Sequence, residues 1–239
     1  MNSIVLGDSY ELIKKIPDNS IDCIYTDIPY MIDNHGFGKS ELGERMKNKT
    51  SYLTGIDKGI DFSILHEFVR VMKKINCFIW RSKLQILDIL NYFDTYKCRF
   101  EILVWCKTNP SPTTNNIWLP DIEYCLYIRE KGVKLNDGYE LKSKYYVSAI
   151  NKDDKDLYLH PTIKPLTMVK KHLLHATKVN DIVLDTFSGS GTTCVAAKET
   201  GRNYIGIEIN NKWHKISCDR INGITANGQT SIFTNFENI

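Results

Sequence analysis

The sequence predicts an α/β protein built on a mostly parallel sheet. Short apolar runs alternate with segments of helical spacing along most of the chain, the pattern of strands joined by crossover helices. Residues 181–210 form a strand, glycine loop, helix and second strand in unbroken succession. No repeat or low-complexity tract interrupts the pattern, and 239 residues suit one ordinary domain, so 1–239 is read as a single domain. A hydrophobic fraction of 42% and a charged fraction of 25% exclude wholesale disorder and fibrous repeats.

Ser3 to Leu6 is the first strand, ended by Gly7-Asp8, and Leu12, Ile13 and Ile16 share one face of the helix that follows. Ile21 to Thr26 is a buried strand ending at Asp27. The polar stretch from Asp33 to Lys58 has no period and reads as a loop. Phe62, Leu65, Phe68, Val69 and Met72 have helical spacing. Cys77 to Trp80 is a short strand, Leu84 to Phe93 a helix, and Phe100 to Cys106 and Ile122 to Tyr127 two further strands. Residues from Arg129 to Leu159 are polar, basic and rich in tyrosine, without a clear period. Leu166 to Ala176 is helical. Ile182 to Leu184 and Tyr204 to Ile207 are strands flanking a helix from Thr192 to Glu199, and the tail after Ile221 is loose or weakly helical.

The mean hydropathy is -0.29, and no apolar run approaches the roughly 18 residues of a membrane helix. The opening residues lack a basic segment followed by an apolar one, so no signal peptide and a cytoplasmic location are expected. Seven cysteines, an odd number with no CxxC, support neither a disulfide framework nor a zinc knuckle. They read as small buried hydrophobes, and no metal is expected. The net charge of +3 permits a nucleic-acid partner without requiring one.

The strongest local signal is DIVLDTFSGSGTTCVAAKETGRNYIGIEIN, residues 181–210. Its first strand ends at Asp185. Gly189 and Gly191 allow a sharp turn and close approach of a ligand to the backbone. Thr192 or Thr193 starts a helix whose N–H groups face that ligand, and Gly201 stops it. The second strand ends at Glu208, a carboxylate suited to the two hydroxyls of a ribose. A phosphate-binding loop would carry Lys where Thr192 stands, and a dinucleotide site a third Gly where Cys194 stands. S-adenosylmethionine, with a ribose and no phosphate, remains. The second signal is IDCIYTDIPY, residues 21–30, in which a buried strand delivers Asp27, Pro29 and Tyr30 to its carboxyl end.

Taken together the signals have a family likeness. TDIPY resembles the D-P-P-Y motif of amino-group DNA methyltransferases, and DTFSGSGTT is similar to their D-P-F-x-G-S-G-T-T cofactor loop. HPTIKP, residues 160–165, resembles their H-P-T-x-K-P segment. VWCKTNPSP, residues 104–112, resembles W-x-K-x-N-P-x-P, and GRNYIGIEIN is similar to their ribose-binding strand. GIDF, residues 59–62, is similar to a segment of the compact members. The catalytic motif comes first and the cofactor loop last, the order of the β class. The likeness covers nearly the whole chain, from about Leu6 to Ile221.

The resemblance implies a Rossmann-like S-adenosylmethionine-dependent methyltransferase fold. Its sheet would be mixed, mostly parallel and seven-stranded, with circularly permuted motif order. It implies site-specific methyl transfer to the N6 amine of adenine in double-stranded DNA. Cytosine N4 transfer is the alternative, and an inactive nucleic-acid-binding subunit the rival. Methylation at carbon C5 is disfavoured because the chain has no Pro-Cys dipeptide. Asp27, Ile28, Pro29 and Tyr30 would form the catalytic motif, with the Asp27 carboxylate and the Ile28 carbonyl accepting both amine hydrogens and Tyr30 stacking on the base. Phe187, Ser188, Gly189, Ser190, Gly191, Thr192 and Thr193 would line the cofactor with Asp185. Glu208 would hold the ribose. Asp8 would lie near the adenine, with a helix N-cap as its alternative reading. Lys164, with Pro165, would approach the methionine carboxylate.

Two positions depart from the family pattern: Ile28 replaces its first Pro, and Thr186 replaces the Pro of its cofactor loop. The Ile28 carbonyl survives; the fixed φ of proline does not. His160 reads as a packed or capping residue, and His172 and His175 as part of a solvated face. Residues 31–60 and 129–159 are candidate DNA-contacting loops, the second a reduced target-recognition region. Double-stranded DNA, a second copy of the chain and a cognate restriction enzyme are the candidate partners. A membrane is not one, and the origin is expected to be bacterial, archaeal or phage.

Overall fold

A computed structural model of the chain describes residues 2–31, 59–110, 112, 118–150, 157–158 and 163–225. Among these, eight strands form one sheet: β1 (Ser3–Leu6), β2 (Cys23–Asp27), β3 (Asn76–Arg81), β4 (Arg99–Lys107), β5 (Ile122–Arg129), β6 (Tyr145–Ser148), β7 (Ile182–Asp185) and β8 (Asn203–Glu208). The α-helices are α1 (Ser9–Leu12), α2 (Ser63–Val71), α3 (Ile86–Asp94), α4 (Leu166–Ala176), α5 (Thr192–Glu199) and α6 (Asn211–Ile221).

The sheet order is β1-β8-β7-β2-β3-β5-β4-β6. β5 pairs antiparallel with both neighbours, and every other pairing is parallel. The α/β class and the mostly parallel sheet therefore stand, with eight strands rather than seven. The additional strand is β6, inside the segment that reads as aperiodic. Its side chains alternate exposed and half-buried at the sheet margin, so it lacks the continuous apolar run that marks a central strand. The helix α6 also has no counterpart in the sequence reading.

Alternation along the central strands builds two cores. Ile24 and Ile28 of the β2 segment, with Cys77 and Ile79 of β3, face Ile64, Leu65 and Phe68 of α2 and Ile89 and Phe93 of α3. Cys23, Tyr25, Phe78 and Trp80 face the other way, onto Met168, Val169 and Leu173 of α4 and Cys194, Ala196 and Ala197 of α5. Successive side chains point to opposite faces, so a strand covered on both sides is apolar throughout. Four cysteines are buried and three are half-buried, as small hydrophobes would be. No helix among the described residues is long and apolar enough to cross a membrane.

One histidine reading changes. His172 is not on a solvated face: it is 6% exposed, stacked on Phe78 with ring centroids 5.3 Å apart. His175 is half-buried, its Nδ1 bonded to the Asn136 carbonyl at 2.8 Å. Polar residues at helical spacing looked outward because one sequence does not show what covers them. His160, and the tail beyond residue 225, lie outside the described residues.

Candidate active site

Strand direction brings the functional residues to one edge. β7 ends at Asp185, β8 at Glu208, β2 at Asp27 and β3 at Arg81. The reversed β5 begins there, with Glu123 second in line, and β4 ends there at Lys107. This carboxyl edge is where open α/β sheets leave space for a ligand.

The cofactor half is built from consecutive residues. Thr186 is fully buried; its hydroxyl bonds that of Thr26 at 3.1 Å, and its carbonyl accepts from Ser9 Oγ. Proline could not make the hydroxyl link, so this departure ties β7 to β2. Ser188 N donates to the Ile207 carbonyl and Gly191 N to the Ser188 carbonyl, both at 2.8 Å. Gly191 has φ +76°, and a Cβ there would meet the Ser217 Cβ at 2.9 Å, so turn and packing both require glycine. Helix α5 starts at Thr192 without a side-chain cap. From α6, Arg220 Nη1 donates to Thr192 Oγ1 at 2.7 Å and Ser190 Oγ at 3.2 Å, bracing the loop from behind.

Glu208 is fixed by two backbone donors, Gly189 N on Oε2 at 2.8 Å and Asn210 N on Oε1 at 2.7 Å. Each oxygen keeps a further lone pair for a hydroxyl. Burial raises the Glu208 carboxyl. Asp185 is buried and turned inward, accepting from Phe187 N at 3.2 Å, and burial raises it to about 7. That bond ties the end of β7 to the start of the loop. Asp8 caps α1, accepting from Tyr10 N at 2.9 Å. The adjacent Gly7 N donates to the Glu208 carbonyl at 2.9 Å, so the cap lies beside the cofactor edge. The loop from Asp185 to Thr193 carries no cationic side chain. Carboxylates at the strand ends and no cation in the loop fit S-adenosylmethionine, a cation with a ribose, better than a phosphate.

The substrate half is assembled from distant segments. Lys164 donates to Asp27 Oδ2, lies 2.9 Å from Glu123 Oε2, and reaches the Tyr30 hydroxyl at 3.3 Å. Lys107 holds the other Glu123 oxygen at 2.7 Å. Burial alone would raise the Glu123 carboxyl, but Lys164 and Lys107 outweigh it and hold it at about 2. Burial likewise opposes the charge on Lys164, and Asp27 and Glu123 outweigh it and raise the ammonium well above its ordinary value. Burial, then the charge of Asp27, keeps the Tyr30 phenol protonated. The three donors of Lys164 are matched by three oxygens of the chain.

Asp27 Oδ1 is buried and has no partner. Ile28 N donates to the Trp80 carbonyl at 3.1 Å, and its side chain is 1% exposed. Isoleucine thus adds a sheet hydrogen bond and a core side chain where the family has proline. The Pro29 carbonyl accepts from Gln85 Nε2 at 3.0 Å, and Pro165 is buried at the N-cap of α4. Trp80, beneath Lys164 at 5.1 Å, donates its indole N–H to Tyr25 at 3.0 Å. Sequence reasoning missed Arg81, Glu123 and the role of Lys107. The available signal was a charged residue within or at the end of an apolar strand, as in CFIWR and IEYCLYIR. No cluster of metal-ligating residues occurs among the described residues.

A mostly parallel sheet covered on both faces, with a glycine loop after one central strand and an acid after the next, defines the class of S-adenosylmethionine-dependent methyltransferases. The DNA methylase family of N6/N4 methyltransferases matches residues 21–219, and the chain belongs to it. It is 32% identical to the type II methyltransferase M2.LlaDCHI of Lactococcus lactis subsp. cremoris, over 92% of this chain and 88% of that one. It is 30% identical to M2.DpnII of Streptococcus pneumoniae, over 91% and 88%. The crystal structure of the M1.HpyAVI–SAM complex aligns with a TM-score of 0.70 at 25% identity, over 93% of this chain and all of that one. The cytosine-N4-specific PvuII DNA methyltransferase also gives a TM-score of 0.70, at 16% identity over 91% and 85%, a likeness of fold.

Proposed function

We propose that the protein transfers the methyl group of S-adenosylmethionine to the N6 amine of adenine in double-stranded DNA. The observation that carries this reading is Asp27 Oδ1, a buried acceptor without a partner at the carboxyl edge beside the Ile28 backbone. An exocyclic amine offers two N–H bonds, and Asp27 Oδ1 and the Ile28 carbonyl are the two acceptors they need. The leading Asp of TDIPY favours adenine over cytosine.

When bound, S-adenosylmethionine supplies an activated methyl group on a sulfonium. The chain's residues act on the acceptor. Two fixed hydrogen-bond acceptors turn the amine lone pair away from the ring and strengthen as the nitrogen becomes positive. Lys164 keeps Oδ2 engaged, so Asp27 meets the amine through Oδ1. Glu123 and Lys107 hold Lys164 in place. Tyr30 offers its ring to a base drawn out of the duplex, which offsets roughly 1–3 kcal/mol of the cost of extrusion. Glu208 and the Phe187–Thr193 loop hold the cofactor.

The segment 129–150 supports a DNA-facing role through its exposed aromatics: Tyr139 is 93% and Tyr145 63% exposed. The remainder of that candidate loop to residue 159, and residues 32–58 of the other, lie largely outside the described residues. A second copy of the chain completing the grip on DNA belongs to the same reading.

The test is expression in a bacterial host without its own DNA methylation, followed by single-molecule sequencing of the host genome. N6-methyladenine at one recurring motif is expected. N4-methylcytosine would replace the base and keep the site. An unmodified genome, with soluble protein confirmed, would overturn the reading in favour of an inactive subunit.

A further inference from the structure

Four charged side chains of alternating sign form a row in the substrate half: Lys107, Glu123, Lys164 and Asp27. Lys107 Nζ lies 2.7 Å from Glu123 Oε1, Lys164 Nζ lies 2.9 Å from Glu123 Oε2, and Lys164 closes the row on Asp27 Oδ2. The four come from β4, β5, the segment before α4, and β2, so the row exists only in the folded sheet. The Tyr30 hydroxyl lies beside its middle, 3.3 Å from Lys164 Nζ and 3.5 Å from Glu123 Oε2. All four side chains are largely withdrawn from water, with exposures of 10% to 32%. Glu123 is ionised at neutral pH, since the two lysines hold its carboxyl at about 2.

A hold on Lys164 does not by itself call for this row. Asp27 already gives Lys164 a carboxylate, and a second one costs desolvation that a neutral acceptor would avoid. What only a charge supplies is a different balance at the Asp27 end. Lys164 and Asp27 alone make a neutral pair, whose free oxygen meets an amine with its charge cancelled. Shared by Glu123 as well, Lys164 belongs to a group of three with a net negative charge. The compensating cation, Lys107, stands at the far end, behind Glu123. We propose that Glu123 is a positioning residue for methyl transfer that acts through Lys164 by its charge, leaving Asp27 anionic toward the amine. This rests on the amino-methyltransferase reading above. In that reaction the nitrogen lone pair forms the N–C bond as the C–S bond breaks and its electron pair stays on sulfur. The nitrogen is positive until it loses a proton to water, and the negative end of the row favours that charge. The same end favours a sulfonium over the uncharged thioether of S-adenosylhomocysteine.

The test uses the full chain and two readouts. One is turnover of a duplex carrying the motif found in the methylated host genome. The other is the calorimetric preference for S-adenosylmethionine over S-adenosylhomocysteine. Glu123→Gln should lose kcat about tenfold or more, with KM for DNA changed less than about twofold. Its preference for the sulfonium should fall about threefold or more. Lys107→Met should move that preference the other way, because a cation has left the far end. Glu123→Asp keeps the charge, so it should keep the wild-type preference and recover most of the lost kcat. If Glu123→Gln melts too low to assay, Lys107→Met/Glu123→Gln removes the outer pair together. Its preference should still lie below the wild type, since the nearer charge is gone.

A Glu123→Gln enzyme that keeps full kcat would overturn the proposal. So would Glu123→Gln and Lys107→Met variants that leave the preference unmoved or shift it the same way, because Glu123 would then only hold Lys164. A Glu123→Asp enzyme as slow as Glu123→Gln would overturn it too. Absence of wild-type turnover on the duplex would count against the methyltransferase reading, while the two affinities would still judge the charge of the row.

Discussion

The cofactor half and the substrate half of this site share one sheet edge but are built in opposite ways. The cofactor half is nearly contiguous, and its polar groups are occupied: Glu208 holds two backbone donors, Asp185 holds Phe187 N, and Ser188 N holds Ile207. The substrate half draws Asp27, Lys107, Glu123 and Lys164 from four separate stretches, and here Asp27 Oδ1 is a buried acceptor with no partner among the described residues. Satisfied groups make a rigid cradle, whereas an unsatisfied acceptor costs stability until a substrate fills it. The location of incomplete hydrogen bonding therefore separates the part that positions a cofactor from the part that does chemistry.

Paired variants break or sharpen this contrast most strongly. Asp27→Ala should lower the methyl-transfer rate by about a thousandfold, the upper range for removing one preorganised electrostatic partner. It should leave S-adenosylmethionine affinity unchanged by calorimetry. Lys164 keeps Glu123 as counter-ion in that variant, so the fold should hold. Glu208→Ala should do the reverse. Loss of a charged hydrogen-bonding group of about 1.5–3 kcal/mol weakens the cofactor about 10- to 100-fold. The rate at saturating cofactor should change little. Equal profiles for both variants would erase the distinction between the halves.

How much was legible in the sequence follows the same division. The glycine loop, α5 and Glu208 are encoded within thirty neighbouring residues, and helix α5 runs from Thr192 to Glu199 as the spacing predicts. The Asp27 motif was equally plain, because a strand and its last residues are local. Glu123 was not legible: its meaning arises only when the reversed β5 meets Lys164, forty-one positions away, and Lys107 of β4. Lys164 was recognised without its partners Asp27, Glu123 and Tyr30, because a motif names a residue without naming what it meets. β6 and α6 escaped because an edge strand and a polar helix carry weak periodicity. His172 was misread because burial of a helix face depends on the strands beneath it.

Ile28→Pro probes the join between the halves with a smaller effect. It restores the family's proline while removing the N–H that bonds Trp80 at 3.1 Å and part of a core side chain. Thermal or denaturant unfolding should show a loss of about 1–3 kcal/mol. Activity should stay within a few-fold, because the carbonyl that meets the amine is retained. A variant as stable as the wild type would mean that neither the sheet bond nor the Ile28 side chain contributes there. A stable but inactive variant would mean that the carbonyl needs isoleucine's backbone geometry.

The smallest effect concerns the floor of the substrate half. Trp80 lies under Lys164 and donates to the Tyr25 hydroxyl, whose own proton is then directed to His172 Nδ1 at 3.0 Å. His172 must be neutral to accept it, and burial, aided by Lys171 and His175, lowers its imidazole to about 3. The unfolded chain binds that proton near pH 6.5. Between 6.5 and about 3 it therefore holds more protons than the folded chain, and stability falls as pH falls, by about 1.4 kcal/mol per pH unit. Asp185 acts in the opposite sense over part of this range, since its folded value is raised to about 7 from 3.8, but it is common to any variant. His172→Gln retains a side-chain acceptor for Tyr25 and removes the titration. The stability difference between wild type and His172→Gln should be flat above pH 7 and should shift toward the variant below about pH 6.5. Parallel curves through that range would show that His172 carries a proton in the folded protein, and the Tyr25 hydroxyl would then have to accept from His172 as well as from Trp80.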